Sequence, residues 1–481
     1  MNQQKSPENQ PGTNKLGQTN KDLGDITDSL TLLTSATVIS STAAAATGPL
    51  PSHQCKHRGI AMNQPQPLDN IDPLLGDDPY AVPLDQIDMS LVDRFTNNNI
   101  WPWFERLRKE DPVHFSENEE FGPFWSVTTF EDIKFVDTNH ELFSSAEGIT
   151  IVERDPDFTL PMFIAMDQPI HDDQRRTVNP AVGPVSLAAM ESTIRERAIT
   201  ILESLPVGET FNFVEKVSIE LTTQMLATLF DFPFEDRHKL TRWSDVSTAN
   251  LESGLISSEE ERQAELIECL AYFTDLWNQR VNAEPRGDLI SMLAHGESTR
   301  NMQPMEYLGN IILLIVGGND TTRNSLTGGV LALNQFPEQY QKLREDHSLV
   351  NTLVPEIIRW QTPLAYMRRN ATADVELGGK LIKKGDKVLM WYISGNRDET
   401  AIETPDEFII DRKKARQHLS FGFGIHRCMG NRLAEMQIRI VWEEILKRFK
   451  TVQVMGEPTY IPSTFVKGYS DLPVKLIPLD Q

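Results

Sequence analysis

The segment that most constrains this chain is Phe421-Gly422-Phe423-Gly424-Ile425-His426-Arg427-Cys428-Met429-Gly430, followed directly by a helical pattern over 431–449. A cysteine at a helix start faces unpaired backbone N–H groups and the positive end of the helix dipole. Both favour the thiolate over the thiol. Gly422 and Gly424 allow a tight turn and close approach of the backbone to a flat ligand. A lone cysteine here would fit an incidental buried thiol, but the whole phrase asks for more.

Bulk properties narrow the classes. The chain has 481 residues with 39% hydrophobic content, enough for a large core. Its 46 basic and 69 acidic residues give a net charge of −23, which argues against a nucleic-acid partner. The same charge disfavours tight docking on anionic lipid, while leaving room for a local basic face. Three cysteines, Cys55, Cys269 and Cys428, are too few for a disulfide framework and suit a reducing compartment. The apolar stretch 30–46 is interrupted by Thr31, Thr34, Ser35, Thr37, Ser40, Ser41 and Thr42, and Gly48-Pro49 ends it. It is too broken to span a bilayer. Asp22, Asp25 and Asp28 before it do not suit a signal peptide. These features predict a cytoplasmic protein with no transmembrane anchor.

Residues 1–70 are rich in Asn, Gln, Thr, Ser and Pro and predict a disordered or loosely attached extension. His53, Cys55 and His57 alternate within it; composition favours a solvated tail over a metal site. The globular part begins near Leu84, and 84–481 reads as one domain. Helical periodicity marks 186–205, 214–230, 258–282 and 305–336, while 101–109 and 128–139 are mixed in pattern. Strand-like pieces follow at 373–377, 380–381 and 387–392, with Gly378-Gly379 as a turn. The fold class is mainly α with a small β region.

Three further constellations carry chemistry. Apolar residues 311–316 lead into Gly317-Gly318-Asn319-Asp320-Thr321-Thr322. Two glycines inside a helix cost about 1 kcal/mol each relative to alanine, so they ask for a reason. A carboxylate beside a hydroxyl can loosen the helical ladder and pass protons. A glycine kink with a capping aspartate is the plain alternative. Glu356 and Arg359 share a helix face, as many surface pairs do, and Pro355 before them predicts that the helix starts or kinks there. His171 and Arg175 lie one helical turn apart and both can reach carboxylates.

With these residues in place, the cysteine phrase resembles the haem-binding signature of the cytochromes P450, Phe-Gly-x-Gly-x-His/Arg-x-Cys-x-Gly. The resemblance runs from about 84 to 476. It implies a cytochrome P450 fold and haem b, iron protoporphyrin IX, with Cys428 as axial thiolate, whose electron donation favours O–O cleavage. Phe421 and Gly422 belong to the same haem-binding phrase. His171, Arg175, His426 and Arg369 would hold the haem propionates, with Arg368 as a competitor for the last role. Thr321 would steady O2 and its protons, and Asp320 would be the relay acid. Glu356, Arg359 and Arg412 would form a structural group around the cysteine loop.

Pocket candidates are Ile149, Ile151 and Phe163, then Leu313, Leu314 and Gly317, then Leu364 and Met367, then Phe465; each could instead be simple core. Stretches 162–171, 217–240, 315–333 and 354–369 resemble the bacterial P450 subfamily of alkane terminal hydroxylases. That resemblance implies terminal oxidation of medium-chain alkanes, or of fatty acids at the omega carbon. Electrons would come from NAD(P)H through an FAD-containing ferredoxin reductase and a [2Fe-2S] ferredoxin. The alternatives are a P450 acting on a terpene or aromatic, a peroxide-rearranging haem-thiolate enzyme, and a non-catalytic haem-thiolate sensor. The last two have no need of Asp320-Thr321.

Overall fold

The computed structural model describes residue 76 and residues 78–479. Helix α1 (Trp101–Glu110) has proline at its second position, where the missing N–H would be unpaired anyway, and it buries Trp103, Phe104 and Leu107. The mixed pattern over 128–139 resolves into helix α2 (Phe130–Thr138) directly after a strand, Phe124–Val127. Helix α3 (Ile170–Val178) carries His171 and Arg175, and α4 (Pro184–Glu203) follows. The helical run expected over 214–230 has two geometries: a π-helical stretch, Val214–Ile219, runs into α5 (Glu220–Phe230). After α6 (His238–Thr248), helix α7 (Glu259–Val281) starts at Ser258, whose side chain accepts from the N–H of Glu261.

Helix α8 (Pro304–Gln335) has 32 residues, which at 1.5 Å per residue is about 48 Å. It packs against α5, α6 and α7, then against α9 (Val350–Gln361) and α10 (Asn431–Arg448). Pro355 does not begin α9, which was one of the two outcomes expected from sequence; it stands inside the helix. It is the sixth residue of α9, past the N–H groups that lack helical partners, so it removes one i→i−4 bond in the second turn.

The small β region holds a five-stranded sheet in the order 113–116, 124–127, 387–390, 367–371, 143–144. Strands Phe124–Val127 and Lys387–Met390 run parallel, and the other neighbours run antiparallel. Gly378 and Gly379, both at positive φ, turn the hairpin of Val375–Leu377 with Lys380–Ile382. The largest core joins α4, α5, α8, α9 and α10, including Leu326, Val330, Ile357, Val441 and Ile445. The architecture is mainly α with a small β region in a single domain.

The extension 1–70, with its stretch 30–46 and with His53, Cys55 and His57, lies outside the described residues. Among the described residues no helix is long and apolar enough to cross a membrane.

Candidate functional site

Gly422 and Gly424 both sit at φ +64°, where a side chain is strained. A Cβ on Gly424 would also clash with the carbonyl oxygen of Asp137. The turn they make lets the N–H of Cys428 donate to the carbonyl of Phe421 at 2.8 Å, with α10 starting three residues later. The loop is tied to the protein from three sides. Asp137 accepts from the N–H of Phe423 at 2.6 Å and the hydroxyl of Tyr392 at 3.1 Å, and pairs with Arg369 at 3.0 Å. The side chain of Asn396 accepts from the N–H of Leu419 at 2.6 Å and donates to the hydroxyl of Ser420 at 2.9 Å. Arg175 donates to the carbonyl of Arg427.

Glu356 and Arg359 are both fully buried and pair through two hydrogen bonds of 2.8 Å. Arg412 joins the same carboxylate at 3.1 and 3.3 Å. Arg359 also donates to the carbonyls of Asn396 and Pro405, each at 2.9 Å. A continuous chain of bonds therefore runs from this ion group through Asn396 to the segment that enters the cysteine loop.

Cys428 faces a cavity of about 1530 Å³, its opening to solvent included. His171, Arg175, Arg369 and His426 line the same cavity, as do Phe421 and Gly422. Arg368 does not: its guanidinium turns to Glu153 at 3.2 Å. Burial, then the charges of Arg369, His171 and Arg175, push His426 down to about 2. Burial also lowers His171, against a 2.7 Å contact with Asp172 that raises it. His171 Nε2 and His426 Nδ1 are buried and have no protein partner. Four cationic or protonatable groups thus converge on the cavity with two ring nitrogens unpaired, an arrangement that two carboxylates would relieve.

Burial also pushes the Cys428 thiol up, while the N–H groups of Gly430 and Asn431 and the charges of Arg175 and Arg427 act the other way. The thiolate-favouring donors expected from the sequence are present, but desolvation outweighs them; a metal cation at the sulfur would tip the balance. A sulfur at the wall, glycines that admit a flat ring and cationic groups for two propionates fit haem b. Among the described residues no cluster of three His, Cys, Asp or Glu could hold a metal in another way.

On α8, Gly317, Thr321, Leu313 and Leu314 reach the cavity. The hydroxyl of Thr321 donates to the carbonyl of Gly317 at 3.2 Å. Asp320 is fully buried and outside the lining, turned toward α6. It accepts from Ser244 at 3.0 Å and Thr248 at 3.4 Å, and pairs with Arg323 at 3.3 Å. Arg323 in turn pairs with Asp245 at 2.8 Å, a residue with 28% of its side chain exposed. Asp320 is thus one turn of chemistry away from the cavity and linked, through Arg323, to the surface.

Phe163, Leu364 and Met367 line the cavity as expected, but Ile149, Ile151 and Phe465 do not. Ile151 is buried in a separate core with Tyr366 and Trp391, and Phe465 packs on that core with its ring 5.4 Å from that of Tyr366. Ile149 meets the sheet instead, its carbonyl accepting from the N–H of Arg368 at 2.9 Å. The sequence reading missed Ile164, Met225, Leu226, Leu229 and Leu289, which all line the cavity. It also missed Asp137, Tyr392 and Ser145, whose hydroxyl lies 3.0 Å from His426 Nε2. Asp137 did leave a signal: it falls on the apolar stripe Phe130, Ile133, Asp137 of α2.

A cysteine loop open to the cavity and set against a long glycine-containing helix, with a cationic rim between, defines a haem-thiolate protein. The cytochrome P450 family model matches residues 260–470. Linalool 8-monooxygenase of Pseudomonas putida is 34% identical over 409 residues, covering 82% of this chain and all of that protein. The methyl-branched lipid omega-hydroxylase of Mycobacterium bovis is 32% identical over 415 residues, covering 83% of this chain and 96% of that one. The solved structure of cytochrome P450-153 from Novosphingobium aromaticivorans matches with a TM-score of 0.76 at 47% identity, covering 81% of this chain and 99% of that one. The chain belongs to the cytochrome P450 family of monooxygenases, and its similarity extends to an omega-hydroxylase.

Proposed function

We propose that this P450 monooxygenase hydroxylates the terminal carbon of medium-chain alkanes or fatty acids. The observation that carries the reading is the far wall of the cavity: Phe163, Leu226, Leu229, Leu313, Leu314, Leu364 and Met367 are all apolar. An alkane offers no hydrogen bond, so only shape can orient it. A methyl C–H bond is stronger than a methylene one, so attack at the chain end requires a wall that keeps C2 away from the reacting centre. Small misplacements of reacting atoms carry large rate penalties, which lets such a wall decide. The sequence resemblance to alkane terminal hydroxylases and the omega-hydroxylase relative both support this choice.

Haem, when bound, supplies the oxygen-activating chemistry. The chain holds it through Cys428 and through His171, Arg175, Arg369 and His426 at the propionates. Thr321 holds a proton at its hydroxyl beside the substrate, Asp320 resupplies it from the Arg323 and Asp245 side, and the apolar wall excludes water. Glu356, Arg359 and Arg412 hold the loop. Reducing equivalents come from NAD(P)H through a ferredoxin reductase and a [2Fe-2S] ferredoxin. Exposed Lys413, Lys414, Arg416, Arg427 and Arg432 cluster in sequence around the cysteine loop of an otherwise acidic chain, which suits an acidic donor. The same proposal takes 84–481 as the catalytic domain, 1–70 as an extension and the cytoplasm as the location.

A terpene substrate is the second reading, favoured by the linalool-oxidising relative. Product analysis decides. With the ferredoxin system supplied, octane is expected to give mainly 1-octanol by gas chromatography. A profile dominated by 2- and 3-octanol, or a Soret shift with linalool and none with octane or dodecanoic acid, would reject the terminal-hydroxylase reading.

A further inference from the structure

A second cavity, of about 680 Å³ with its opening included, shares no lining residue with the haem cavity. Trp101, Leu331, Trp360, Arg397, Asp406 and Lys467 form most of its wall. Arg397 lies over the ring of Trp360 at 3.6 Å and that of Trp101 at 4.5 Å. Lys467 Nζ lies over the same Trp101 ring at 5.3 Å. Two cations are therefore gathered at one indole.

Among the described residues, their protein partners are few. Arg397, 6% exposed, makes one side-chain hydrogen bond, to Asp406 at 3.1 Å, and the Asp406 side chain is 73% exposed. Lys467 Nζ makes one, to the carbonyl of Gln361 at 3.3 Å. Among the described residues, Asp406 is the sole carboxylate in the wall. Burial and the charge of Arg397 hold Lys467 down at about 7, and burial holds Arg397 at about 9. Gathering two desolvated cations against one exposed carboxylate is unfavourable unless an anion completes the set.

We propose that this cavity binds a carboxylate with an apolar body, at a site separate from the haem. A guanidinium whose face rests on indole rings offers its N–H edge, and that edge matches the plane of a carboxylate. With Lys467 protonated, one negative charge balances the wall: two cations less Asp406 leave +1, which a monoanion neutralises and a phosphate dianion overshoots. Trp101, Trp360 and Leu331 give the apolar body a surface to cover.

The experiment is a calorimetric titration of the haem-loaded enzyme with benzoate, after an alkyl imidazole has saturated the haem cavity. Benzoate is expected to bind one site per chain. Lys467→Gln should weaken binding by about tenfold or more, the usual loss for a hydrogen bond to a charged group. Asp406→Asn should tighten it, because it removes the competing carboxylate; a merely structural ion pair predicts no such gain. Both variants should keep the thiolate-type carbon monoxide spectrum, which checks the fold. No benzoate binding up to millimolar concentration, equal affinity in all three proteins, or inorganic phosphate bound in preference to benzoate would each overturn the proposal.

Discussion

The two sides of the haem cavity are built on opposite plans. On the cysteine side, backbone N–H groups of the loop are held by Asp137, Asn396 and the carbonyl of Phe421, and Asn396 connects them to the buried Glu356 and Arg359. On the α8 side few directional bonds tie the wall to other elements: Asp320 faces α6, and the hydroxyl of Thr321 bonds only within its own helix. What faces the substrate there is Leu313, Leu314 and two glycines, with the side chains of Thr321, Thr322 and Ser325 beside them. One side is fixed by directional bonds and is indifferent to the substrate; the other is defined by shape and by a few hydroxyls. Changes on the first side should cost the cofactor or the fold, and changes on the second should alter only what the enzyme does with its electrons and its substrate.

The largest break is at the sulfur. Cys428→Ser should abolish the carbon monoxide band of a thiolate-ligated haem, because an alcohol at that position is a poor donor to iron. A variant that keeps the band would remove Cys428 from its assigned role. Next is the ion group. Glu356→Ala leaves Arg359 and Arg412 with buried, uncompensated charge, a loss of about 3–5 kcal/mol for a buried pair. Denaturant unfolding should show that loss together with low haem content. Full stability would mean that the chain of bonds through Asn396 does not support the loop.

Thr321→Ala tests the other side and should be gentler. Binding of octane and the melting temperature should hold, while NADH is consumed with less product and more peroxide. The hydroxyl is the one polar group of the Asp320-Thr321 pair that reaches the cavity, so its loss should interrupt proton supply without disturbing packing. Unchanged coupling of NADH to product would reject that role, and loss of haem would show that α8 is less independent of the cysteine side than its bonding suggests.

The same contrast explains what could be read from the sequence. The cysteine loop was legible because its chemistry is contiguous: turn glycines, ligand and helix start lie within ten residues. The long helix of 304–335 was legible from periodicity, and Glu356 with Arg359 only through the family resemblance, since their spacing alone fits many surface pairs. Asp137 and Ser145 were not legible as partners of the loop, because they reach it across 286 and 281 residues of chain. Ile149, Ile151 and Phe465 failed as wall residues for a related reason. They lie outside helices and strands, so no period fixes where a side chain points, and Tyr366 and Trp391 offered Ile151 a better-packed home. Asp320, expected as the relay acid, was legible in type but not in placement, because the helix turns it about 100° from its neighbour Thr321, onto α6.

The smallest expected effect is also the sharpest test of a wall defined by shape. Leu364 lines the cavity, and its backbone forms a β-bridge with Val466 that anchors this part of the wall. Leu364→Ala keeps that backbone contact and removes only side-chain volume. A single methylene in an apolar pocket discriminates by about 1–3 kcal/mol, so a loss of three carbons leaves ample room for C2 of octane to approach the reacting centre. The share of 2-octanol should therefore rise several-fold over the wild type, while the haem spectrum and total turnover change little. The readout is a ratio of two products from one reaction, so altered expression or haem loading cancels. A wild-type ratio from Leu364→Ala would mean that the chain end is held by other residues, and the same truncation at Leu313, one turn before Gly317 on α8, would then identify the side of the cavity that selects the carbon.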